Sequence, residues 1–110
     1  MKEVTIAKTG EKFQIAPYTD AAYMRSLRTM NIKRGPDQKS ADDAEAVMEL
    51  VRSLIISWEK ADGTKPLEGL TPPKARQLIA DVPGLSDAVL KWARQAKEQE
   101  DVYAEADSGN

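Results

Sequence analysis

One stretch constrains this chain more than any other. Ala44, Val47, Met48, Val51, Leu54, Ile55 and Trp58 recur at i, i+3 and i+4 and would cover one wide stripe of a helix. The periodicity predicts a single helix over 41–61. Ser40 stands before it as N-cap, and Asp42, Asp43 and Glu45 lie in its first turn, where the macrodipole favours acids. Ile56 falls off the stripe, among Glu45, Glu49, Arg52 and Lys60. Either another segment of the chain buries it, or it contacts a partner.

The segment before this helix reads as a β-hairpin over 3–16. Folding Val4–Lys8 back on Glu11–Ile15 pairs Ile6 with Phe13 and Val4 with Ile15, placing four apolar side chains on one face. The same register sets Lys8 opposite Glu11, and Gly10 supplies the positive φ of a short hairpin loop. Two strands alone are marginal in water, so that face must lie on helices. Thr19 caps a helix over about 19–32, with Tyr18 and Tyr23 at staple spacing and Tyr23, Leu27 and Met30 along one face. Residues 33–39, with Gly35-Pro36-Asp37, form a turn or a mobile loop.

Beyond the long helix, Asp62-Gly63 is a stop and 65–70 a loop. Thr71-Pro72 opens a helix over 72–82 whose buried face is Ala75, Leu78, Ile79 and Val82. Pro83-Gly84 ends it. Ser86 caps the last helix, 86–100, striped by Leu85, Val89, Trp92, Ala93 and Ala96. Trp58 and Trp92 stand on helix stripes, as core residues or as partner anchors. After Lys97 come five acids and no base, and the tail 101–110 is expected to fray. The expected fold is one mostly α (α+β) domain over 1–100: an N-terminal hairpin packed on about four helices.

Composition decides what such a domain can do. Among 110 residues there is no His and no Cys. Imidazole bases, thiolate nucleophiles, disulfides and ordinary zinc, haem or iron–sulfur sites are thereby excluded. The glycines are isolated in turns and form no phosphate loop. Asp42/Asp43 could bind a hard cation or serve as acid and base, but a helix N-terminus already explains them. The expectation is a non-enzyme without cofactor or metal. No apolar run suits a signal peptide or a membrane span, so the chain is expected to stay where it is made.

The net charge of −2 divides unevenly, +4 over 1–40 and −6 over 41–110. Such opposition can steer self-association, or be scattered surface charge that salt screens. Leu78-Ile79-Ala80-Asp81-Val82-Pro83-Gly84-Leu85-Ser86 resembles the turn of helix-hairpin-helix DNA-binding modules. It departs at Ser86, where those modules place a second glycine, and at Leu90. Asp81 and Asp87 flank the turn and would repel phosphate, so the balance goes against nucleic acid.

The ordered features carry a wider resemblance, covering most of 3–100. They are Val4-Thr5-Ile6, Gly10, Phe13-Gln14-Ile15-Ala16-Pro17, Thr19-Asp20, Leu54-Ile55-Ile56-Ser57-Trp58 with Asp62-Gly63, Leu70-Thr71-Pro72, Leu78-Ile79 and Val82-Pro83-Gly84-Leu85. Together they resemble the tail assembly chaperones of long-tailed, siphovirus-like bacteriophages and prophages. The resemblance implies a small, largely helical, non-catalytic protein of the infected host's cytoplasm, absent from the finished virion. Its partner would be the tape measure protein, with the tail tube protein and self-association as further contacts, and many such families also make a longer frameshifted form. No functional residues transfer with it. The partner-binding candidates are Ile56 and Leu90, as apolar positions spare to the core in a helix-in-groove contact, and Tyr103, the aromatic expected to be most exposed. A small phage structural or connector component, and an adaptor or antitoxin-like protein, share this composition.

Overall fold

The computed structural model describes residues 1–31 and 39–100, with side chains at 1–29 and 44–100. Most of the expected 33–39 loop, the Asp42/Asp43 carboxylates, the side chain of Met30 and the tail with Tyr103 lie outside the described residues. Within them the fold is α+β: four helices and a three-stranded antiparallel sheet. The strands are β1 (Lys2–Thr5), β2 (Lys12–Ile15) and β3 (Ile55–Glu59); the helices are α1 (Asp20–Asn31), α2 (Lys39–Leu54), α3 (Pro72–Asp81) and α4 (Leu85–Glu100).

The hairpin forms with its register displaced by two residues. Val4 pairs with Phe13 and Lys2 with Ile15, while Ile6 donates to the Glu11 carbonyl at 2.8 Å across a wider turn. A shift of two keeps every side chain on its expected face, so Phe13 and Ile15 are buried as the alternation requires. Lys8 does not oppose Glu11. That carboxylate instead accepts from Thr9 Oγ1 and from Trp58 Nε1, each at 2.8 Å. Gly10 has φ 77°, and a Cβ there would come within 2.8 Å of Ala61 Cβ, so the hairpin turn seats directly on the turn after β3.

The main correction concerns the single helix over 41–61. It ends at Leu54, and Ile55–Glu59 is the third strand, paired with β2. Trp58 opposes Phe13 and Ser57 opposes Gln14, but Ile15 opposes Ile55, leaving Ile56 as an extra residue in a β-bulge. The bulge puts Ile55 and Trp58, three apart, on the same inward face. A bulged strand thereby reproduces the spacing of one helical turn, which is why the stripe extends into it. Ile-Ile-Ser-Trp favours a strand locally, and the third strand gives the hairpin the partner that two strands alone lack.

α2 is the central helix, lying against α1, α3, α4 and β3. Its last two turns are consequently buried on several sides: Leu50, Val51 and Leu54, and also Glu49, which the stripe had placed in solvent. Midway along the helix Val47 faces out. Thr19 caps α1, its Oγ1 accepting from the Ala22 N–H at 3.1 Å. Ser86 is not a cap, since α4 begins one residue earlier, at Leu85, while the side chain of Ser40 lies outside the described residues. Ser86 Oγ instead donates to Met48 Sδ at 3.5 Å. Thr71 occupies the N-cap position of α3 without a side-chain bond. Trp58 and Trp92 both pack on Phe13, with ring centroids 5.5 and 5.3 Å away. They are core anchors. No helix among the described residues is long and apolar enough to cross a membrane.

Candidate interaction site

β2 lies between β1 and β3, so β3 has one paired and one outer edge. The Ile6 bond to Glu11 turns the main-chain groups of residues 11, 13 and 15 toward β1, and the Ala16 bond to Leu54 turns those of 12, 14 and 16 toward β3. Carried across the register, this alternation points the Trp58 N–H and C=O away from β2. At Lys60 the outward N–H donates to the Thr64 carbonyl at 2.8 Å as the chain reverses through Asp62 and Gly63. The Asp62 carboxylate accepts from the Thr64 N–H at 3.0 Å, and these contacts to Thr64 hold its carboxyl below the ordinary aspartate value. Pro66 has no N–H with which to continue the pairing. The chain leaves β3 there, and no described strand covers the remaining outer edge.

What stays open is a cleft of about 380 Å³ between β3 and the 65–72 segment. Ile56, Leu67, Leu70 and Pro72 give it apolar walls, and Arg52, Lys65 and Glu68 supply charge. Ile56 is 53% exposed and Leu70 36%. Tight turns carry the loop, with Glu68 N–H donating to Lys65 O and Leu70 N–H to Leu67 O. Lys65 has no ion-pair partner among the described residues.

One side of the cleft is fastened by charge. Glu49 on α2 accepts from Arg76 of α3 at 2.7 Å and from Arg52 Nε at 3.1 Å, with a further contact from Arg52 Nη2. Its burial works to raise the carboxyl pKa. The hydrogen bonds and charges of the two guanidiniums outweigh that, holding it below the ordinary glutamate range. Arg52 is raised in turn by its bond to Glu49. The triad ties α3, which contributes Pro72 and Ala75 to the cleft, to the helix that leads into β3.

Of the partner-binding candidates, Ile56 stands exposed in this cleft, on a strand edge and not on a helix. Leu90 is partly buried, packs against the core and does not line the cleft. Tyr103 lies outside the described residues. Leu67, Leu70 and Lys65 belong to a segment whose sequence predicts only a connecting loop. Two leucines in a short segment between Pro66 and Pro72 were the available signal. No carboxylate cluster able to hold a metal occurs among the described residues. No protein-family model, curated protein or solved structure matches the chain.

Proposed function

We propose that this protein is a non-catalytic, client-binding chaperone of phage tail assembly, holding the tape measure protein while the tail is built. The supporting observation is the cleft on the outer edge of β3, where Ile56 and Leu70 leave apolar surface open beside a strand edge and the half-buried Leu67 forms the wall between them and the core. A long helical client with exposed apolar stripes aggregates unless such surface shields it. Apolar anchors of the client enter the cleft, and Lys65 meets an acidic flank. The ordered resemblance supplies the client's identity; the cleft supplies a way to hold it.

Gene order and coexpression in the host test this function. A tail tube gene upstream and a very long helical reading frame downstream are expected. Coexpression with the product of that frame should keep it soluble and recover both proteins as one complex. Insoluble client in the presence of excess chain, or the chain retained in purified virions, contradicts the proposal.

A further inference from the structure

A second apolar surface lies away from the cleft, on α1. That helix packs on α2 through Ala22 and Ser26 and turns its outer side to solvent. There Met24 is 52% and Tyr23 38% exposed. Arg25 and Arg28 are exposed beside them, and neither makes an ion pair among the described residues. The face is thus apolar with two cations, Arg25 and Arg28, and one carboxylate, the exposed Asp20 at its N-terminal end, and it has no described partner.

We propose that the occupant of this face is the chain's own acidic C-terminal segment, residues 101–110. Three observations converge on it. The first is position: α4 ends beside the start of α1. Tyr18 N–H donates to the Ala93 carbonyl at 3.0 Å, the Arg94 guanidinium stands 5.5 Å from the Tyr18 ring centroid, and Lys97 and Glu100 line one surface hollow with Pro17 and Thr19. The segment therefore starts at the N-terminal end of the face it would cover. The second is length. Ten extended residues span about 33 Å, against about 18 Å for a twelve-residue helix. Tyr103 can reach the level of Tyr23 and Met24, and Glu105 that of Arg28.

The third is chemistry. Residues 101–110 carry Asp101, Glu105 and Asp107 with no basic residue, and Val102 and Tyr103 lie between the acids. A carboxylate meets Arg28 while Val102 and Tyr103 cover Met24, which lies one turn before it on the same stripe. The +4 and −6 divisions of the chain then act within one molecule.

Because the chain has no Cys, engineered thiols report without background. Full-length chain carrying Met24→Cys and Tyr103→Cys is oxidised mildly at low concentration, beside a control carrying Ile56→Cys and Tyr103→Cys. The tethered pair should close an intramolecular disulfide about tenfold faster than the control, reflecting its higher effective concentration. Adding Arg25→Glu and Arg28→Glu should remove most of that difference. Equal rates in the two pairs, a disulfide that links two copies, or a rate unmoved by charge reversal overturns the proposal. A second measurement needs no cysteine. Met24 oxidation by peroxide should quicken several-fold in Asp101→Asn/Glu105→Gln/Asp107→Asn chain, and an unchanged rate also overturns it.

Discussion

Glu49 is buried with two guanidiniums on it, so removing its charge leaves two cations facing each other in a poorly solvated place. Breaking a buried pair is far costlier than the pair is worth, though Arg52 is about a third exposed and that lowers the figure. Glu49→Gln should cost about 2 kcal/mol in urea denaturation. The pH dependence has a definite sign. The folded carboxyl titrates below its ordinary value of 4.5, so its contribution is complete above that pH and is lost as acid takes the protein down through the lower folded value. Native protein should therefore lose stability below about pH 4.5 more steeply than Glu49→Gln, and parallel acid-unfolding curves would contradict the triad. Gly10 is the other residue with a sharp expectation. Its φ of 77° and the 2.8 Å approach to Ala61 should make Gly10→Ala cost about 2 kcal/mol in the same denaturation assay.

At the level of elements, β3 decides the architecture. Alanine suits an exposed helix position better than isoleucine does, and an exposed strand position worse. Ile56→Ala should therefore destabilise by about 0.5–1 kcal/mol while Ile56→Val stays near neutral. A helix through 41–61 would give a gain for alanine, so the sign of one denaturation midpoint shift separates the two. The same strand explains what was legible beforehand. Hairpin faces, the Thr19 cap, the Thr71-Pro72 start and the positions of α3 and α4 follow from local signals that tertiary contacts leave alone. Ile55 and Trp58 misled because a bulge inserts one residue and turns a period of two into a spacing of three. Glu49 misled because its environment is set by Arg76, distant in sequence, which no helical pattern can show. Leu67 and Leu70 gained meaning only once β3 had an outer edge for them to face.

Considered whole, the molecule gathers its large apolar side chains into one core, with Phe13, Leu50, Val51, Leu54, Ile79 and Val89 buried together. Among the described residues its open apolar surface includes the β3 cleft and α1, besides the single side chains of Met1 and Val47. The cleft is tied to that core by the Phe13–Trp58 stack on one side and by the Glu49 triad on the other. A surface substitution in it should change binding without changing the fold. Ile56→Asp is the decisive variant, read as the fraction of coexpressed tape measure protein captured with the chain, after far-UV circular dichroism and thermal unfolding have shown the fold intact. A drop of about tenfold or more, from placing a charge in an apolar contact, is the expected result. Undiminished capture by folded Ile56→Asp would contradict the β3 cleft as the client site.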